Sequence, residues 1–215
     1  MTPPHRLPAQ RWQALWHRLG AAGDGDQALA LLQAHYSEPH RAYHNVAHIV
    51  ACLHEFDFVR SLIQKPDAVE MALWFHDAIY DPKAGDNEER SAALFGTAAR
   101  AARLNHWFIR RVDALIRATQ HKKRPSLGDA RFMVDLDLSI LGKSPAKFST
   151  YERQIRREYA WVPSRAYVAG RSAILQNFLS RKTIYATEFF RRRYEARARA
   201  NLGRSLVQLS RRRGN

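Results

Sequence analysis

Residues 73–80 read Leu73-Trp74-Phe75-His76-Asp77-Ala78-Ile79-Tyr80. The apolar residues around His76 and Asp77 leave no polar face on which two titratable side chains can share water. The pair therefore needs a partner inside the protein, because burying an ionised carboxylate alone costs several kcal/mol. A divalent cation removes that cost. The same anomaly recurs on either side of this stretch. His48 lies within the apolar stripe of Val46, Ile49, Val50, Leu53 and Phe56, and Asp135 and Asp137 are embedded in the apolar segment 130–141. Neighbouring helical residues point about 100° apart, so an ion shared by His76 and Asp77 must sit off their helix, with further ligands arriving from neighbouring helices. Asp135 and Asp137 are two apart and point to nearly opposite sides, so at most one of them is a ligand. Spacing alone leaves open which.

The rest of the chain repeats the helical period. Trp12, Leu15, Trp16 and Leu19 fall on one face, and Gly20, Gly23 and Gly25 stop that helix. A second helix runs to about residue 36. Asn45 caps a third, and Pro66 opens a fourth that carries the His76-Asp77 pair near its end. Further helices are predicted over 87–104, where Glu88 and Glu89 suit the N-terminal end, over 107–119 and over 130–141. Three more start near Pro145, Pro163 and Thr187. No segment alternates with period two, and no internal repeat or linker composition marks a boundary. The expectation is an all-α protein of one domain over 1–215, with a core at about 37–142 and helices 8–36 and 145–211 packed on it.

With 46% hydrophobic and 11% aromatic residues, 215 residues can bury a substantial core. Cys52 has no second cysteine to pair with, and Arg, His, Asp, Gly and Pro interrupt the first thirty residues, so a signal-peptide core is not expected and the location predicted is cytoplasmic. No apolar run approaches the roughly 20 residues of a membrane helix. The net charge of +15 (35 Lys and Arg against 20 Asp and Glu) favours an anionic substrate or partner. The excess is densest around Arg191-Arg192-Arg193, Arg197, Arg199, Arg204 and Arg211-Arg212-Arg213, which reads as the solvated face of a terminal helix, with nucleic acid as the less favoured use.

The ordered set His48, His76-Asp77 and Asp137 resembles the HD superfamily of metal-dependent phosphohydrolases, and more narrowly a bacterial family of uncharacterised predicted HD phosphohydrolases. The likeness extends through Tyr43-His44-Asn45, His76-Asp77-Ala78-Ile79-Tyr80, Asn87-Glu88, Asp137-Leu138-Ser139-Ile140-Leu141-Gly142 and Arg181-Lys182-Thr183-Ile184-Tyr185. It implies an HD-type helical bundle and a ligand set of His48, His76, Asp77 and Asp137. Tyr43-His44-Asn45-Val46-Ala47-His48 is also similar to a stretch of cyclic-nucleotide phosphodiesterases, and that likeness makes His44 a general acid. Tyr80 departs from it, standing where those enzymes carry a further histidine.

The activity implied is hydrolysis of a phosphate ester, of a nucleotide or another small phosphorylated metabolite, assisted by Mn, Fe, Co, Ni, Zn or Mg. Asp77 then serves as both ligand and catalytic group. Glu88, His121, Lys122 and Arg171 are candidates for the substrate side, with Lys123, Arg124, Arg181 and Lys182 as further cations for phosphate. Two rival readings keep the metal. A di-iron oxygenase would need extra histidines, of which His106 and His121 are the obvious ones, and a metal-stabilised nucleic-acid-binding module would rest on charge alone.

Overall fold

The computed structural model describes residues 5–122, 125 and 127–213. Among the described residues the protein is all-helical, with no strand. Two compact units divide at the last peptide bond of a helix, between Leu136 and Asp137.

The first unit contains α1 (Ala9–Arg18), α2 (Asp26–Tyr36), α3 (Val46–Val59), a 3-10 turn (Arg60–Leu62), α4 (Pro66–Phe75), α5 (Asn87–Ala101), α6 (His106–Ala118) and all but the last residue of α7 (Ala130–Asp137). Trp12, Leu15 and Trp16 bury the inner face of α1. The Trp12 ring packs at 5.2 Å against both Trp16 and Trp74. The indole N–H groups of Trp12 and Trp16 donate to the carbonyls of Gly25 and Gly23, each at 3.0 Å. Gly25 has φ +76°, and a Cβ there would meet the two indoles at 2.8–2.9 Å, so only glycine fits this corner.

Pro66 stands at the first turn of α4, whose residues from Ala68 to Phe75 are all buried. A helix apolar on every side belongs at the centre of a core. Its one buried charge, Glu70, is held by Arg11 at 2.6 Å and Arg18 at 2.8 Å. The helix ends at Phe75, so His76 is its capping residue and Asp77 lies beyond it. The sequence placed both within the helix. At the stop the His76 ring takes the Leu73 carbonyl at 3.0 Å, and beyond it the Arg41 guanidinium takes the carbonyls of Asp77 and Ala78 at 2.6 and 2.8 Å.

The second unit holds a 3-10 turn (Leu138–Gly142), α8 (Pro145–Glu158), α9 (Ser164–Ser180) and α10 (Glu188–Arg213). The expected helix over 130–141 is thus an α-helix to Asp137 followed by a tighter turn. Side chains take the carbonyls that a continuing helix would use. The Tyr185 hydroxyl donates to Leu138 at 3.2 Å, and the Asn201 amide donates to Leu141 and Lys143 at 2.8 and 2.9 Å. Along α10, Phe190, Tyr194, Ala198, Leu202 and Leu209 are buried. Part of its arginine excess is spent internally: Arg199 pairs with Glu195 at 2.8 Å and caps α9 through the carbonyls of Leu179 and Arg181 at 3.0 and 2.7 Å. Arg192 pairs with Glu188.

Candidate metal centre

Asn45 caps α3 by accepting from the Ala47 N–H at 2.9 Å, which starts the helix so that His48 faces inward on its first turn. His48 is 4% exposed and His76 is 1% exposed. The Nδ1–H of His76 donates to the Leu73 carbonyl at 3.0 Å, because only a protonated ring nitrogen can meet a carbonyl there. That bond fixes the tautomer and turns the Nε2 lone pair into the site.

Three donor atoms converge. His48 Nε2 and His76 Nε2 are 3.2 Å apart, and Asp77 Oδ2 stands 3.3 Å from the first and 3.2 Å from the second. Ligand atoms bound to one cation at about 2.1 Å stand about 3.0 Å apart in an octahedron and about 3.4 Å apart in a tetrahedron, and the three separations fall between these values. Asp77 Oδ2 is buried without an aligned hydrogen-bond donor, as a metal-binding oxygen would be. The end of α4 makes this possible. With Asp77 outside the helix, its carboxylate and the preceding imidazole are free of the helical divergence of neighbouring side chains.

The last residue of α7, Asp137, brings a second carboxylate. Ligand atoms of His48, Cys52, His76 and Asp137 all lie within 4.8 Å of one another, and these residues could hold a metal ion. Asp135, fully buried on the same helix, is not in this group. Cys52 is the member that sequence reasoning missed, having been weighed only as an unpaired thiol. Its position four residues after His48, on the same face of α3, was the available signal. The Cys52 sulfur stands 3.7 Å from His48 Nδ1 and 3.8 Å from Nε2. A sulfur sharing an ion with Nε2 would lie much nearer to Nε2 than to Nδ1. These near-equal distances set Cys52 against the imidazole ring, as a neighbour of the histidine.

Charge follows the geometry. With no cation bound, burial pushes the Asp77 carboxyl up, but His76, His48 and His44 in their protonated forms outweigh it and hold the group well below the usual carboxylate range. His44 precedes α3, is half-buried and places its ring 6.0 Å from that of His48. Tyr80 stacks on it at 4.2 Å, with the ring planes 29° apart.

The remaining sequence candidates are distributed differently. Glu88 lies half-buried in the first turn of α5, and His121, with φ +55°, follows α6. Lys122 is exposed; the Gln120 amide first, and then Lys122 and Arg117, hold the neighbouring Glu89 below its ordinary value. In the second unit Arg171 is buried in an ion pair with Glu152 and donates to the Tyr151 hydroxyl at 3.1 Å. Arg181 lies over the Phe178 ring at 4.4 Å, and Lys182 gives its carbonyl to Arg199. Lys123 and Arg124 lie outside the described residues, as do the side chains of Arg212 and Arg213. His106 is exposed at the start of α6, and among the described residues neither it nor His121 joins the metal-capable group. No helix among the described residues is long and apolar enough to cross a membrane. No protein-family model, curated protein or solved structure matches this chain.

Proposed function

We propose that the protein is a metal-dependent phosphohydrolase acting on a phosphate ester, with a nucleotide or another small phosphorylated metabolite as its substrate. The observation that carries this reading is the convergence of His48 Nε2, His76 Nε2 and Asp77 Oδ2 at 3.2–3.3 Å, with Asp137 beside both histidines. Nitrogen and carboxylate donors of this kind accept Mn, Fe, Co, Ni or Zn more readily than Mg. When bound, such a cation supplies Lewis acidity toward water and toward a phosphoryl oxygen.

The chain's own residues do the rest. His48 and His76 present neutral nitrogens, fixed in the case of His76 by Leu73, while Asp77 and Asp137 supply negative charge. Water provides the nucleophile: it releases one proton to the solvent, its oxygen bonds to phosphorus as the ester P–O bond breaks, and Asp77 orients it. His44 in its protonated form gives its proton to the departing oxygen, and Tyr80 fixes the plane of the His44 ring. The positive excess of the chain draws an anionic substrate toward the surface.

A screen of phosphorylated metabolites and an activated aryl phosphate against protein reconstituted separately with Mn, Fe, Co, Ni and Zn tests the reading. Turnover that depends on added metal and disappears in Asp77→Ala is expected. Metal-loaded protein that hydrolyses none of these esters would contradict it.

A further inference from the structure

The backbone from Asp77 to Asp81 is irregular, and side chains from elsewhere hold every residue of it. The Ile79 N–H donates to Ser91 Oγ at 3.0 Å, and that hydroxyl donates back to the Ile79 carbonyl at 3.3 Å. His40 Nε2 meets the Tyr80 carbonyl at 2.8 Å. Asn87 accepts from the Asp81 N–H at 3.0 Å and donates to the Asp81 carbonyl at 2.9 Å. Arg41 holds Asp77 and Ala78, and it does one thing more. Its Nη1 donates both to the Asp77 carbonyl at 2.6 Å and to the His44 carbonyl at 2.9 Å. A single nitrogen thus bridges the segment carrying the metal-binding carboxylate and the segment carrying the candidate acid.

We propose that Arg41 is a positioning residue that locks His44 and Asp77 into one register; the inference rests on the phosphohydrolase reading of the same site. Its side chain is fully buried, which for a guanidinium demands complete hydrogen bonding. Nε supplies the remaining bond, to Glu38 Oε2 at 2.9 Å, and Nη2 donates to Ala78 at 2.8 Å. The guanidinium carbon lies 5.3 Å from the Tyr36 ring and 5.5 Å from the Tyr80 ring, and Tyr80 is the ring stacked on His44. Arg41 therefore sets His44 twice, through its carbonyl and through the tyrosine against its imidazole. Lysine cannot replace it, since an ammonium lacks the planar fork that reaches Glu38, His44, Asp77 and Ala78 together.

The test is a Co(II) titration of the full chain, followed by the visible absorption of the bound ion, in wild type, Arg41→Lys, Glu38→Gln and Arg11→Lys. Arg11→Lys serves as a control because it loosens another partly buried arginine of the same unit, paired with Glu70 and Asp57, away from the loop. Arg41→Lys is expected to weaken Co(II) binding about 10–100-fold and to shift the visible band, as loss of a group supporting a ligand does. Glu38 is partly exposed, so Glu38→Gln keeps the protein folded; by loosening the same guanidinium it should move the band in the same direction. Arg11→Lys should lower the melting temperature while leaving affinity and band unchanged. Where an ester is turned over, Arg41→Lys should also shift the rate ratio of alkyl to aryl phosphate toward that of His44→Ala.

Wild-type affinity and band in both Glu38→Gln and folded Arg41→Lys would overturn the positioning role while leaving the metal site standing. If Arg41→Lys does not fold, an unchanged band in Glu38→Gln overturns it alone. Wild-type protein that binds no cobalt would overturn both.

Discussion

At Asp77 burial and charge oppose each other, and the neighbouring histidines decide the outcome in favour of the anion. A buried anion against two imidazole nitrogens is the arrangement a cation completes, so Asp77→Ala should retain no stoichiometric metal after desalting. Asp137→Asn should bind far more weakly than Asp135→Asn, which isothermal titration with Zn or Co can measure. The reverse order would move the ligand to the other side of α7. His44 plays a different part, since it precedes α3 and its ring flanks that of His48 at 6.0 Å. His44→Ala should keep its metal and lose about 10²–10⁴-fold in turnover of alkyl phosphates, with a much smaller loss on an activated aryl phosphate whose leaving oxygen scarcely needs a proton. Equal losses on both would make His44 a group that places the substrate. The histidines and aspartates of this site were legible because a titratable side chain on an apolar helical stripe breaks the pattern around it. Cys52 was not, because a cysteine on an apolar stripe breaks nothing. Arg41 escaped notice because all but one of its hydrogen bonds go to backbone carbonyls, which leave no mark in a sequence.

Among the helices, starts were easier to read than ends. Asn45 at the head of α3 and the prolines at the heads of α4 and α8 signal their positions locally. The segments that follow the stops at Phe75 and Asp137 are held by distant donors, Arg41 for the first and Tyr185 with Asn201 for the second, and no local composition announces them. The turn after Asp137 also needs close approach. A Cβ on Gly142 would sit 2.4 Å from the Cβ of Tyr194 on α10, whereas one on Gly170 in α9 would meet nothing within 4 Å. Gly142→Ala should therefore destabilise the protein by about 1–3 kcal/mol. Gly170→Ala should stabilise it by about 0.5–1 kcal/mol through helix propensity. Urea unfolding of the two variants distinguishes them, and a neutral Gly142→Ala would mean that α10 yields easily.

Also on α9, the Tyr167 hydroxyl is pushed up to about 12 by burial, against the opposing charge of Arg171. The folded state keeps a proton that the unfolded chain releases near pH 10. The stabilisation is thus complete below about pH 10 and is lost as pH rises toward 12. Tyr167→Phe should flatten the decline in unfolding free energy between about pH 10 and 12, while an unchanged slope would place the titrating group elsewhere.

For the whole molecule, the sequence was sufficient for the all-helical class, because period-two alternation is missing throughout and amphipathic periods recur from end to end. The division into units at Leu136 and Asp137 was not legible. It falls inside an apolar segment, with none of the glycine, proline or serine enrichment that marks a linker. Net charge of +15 was legible as a number, but its distribution was not, since arginines such as Arg11, Arg41, Arg171 and Arg199 are committed to internal pairs and carbonyls.

The property on which the functional reading depends is metal content. Elemental analysis of purified, desalted protein, before and after reconstitution with Mn, Co, Ni or Zn, should give close to one equivalent of transition metal in wild type and none in Asp77→Ala. Folded wild-type protein that remains metal-free, and whose melting temperature none of these ions shifts, would contradict the proposal that His48, His76, Asp77 and Asp137 form a metal centre.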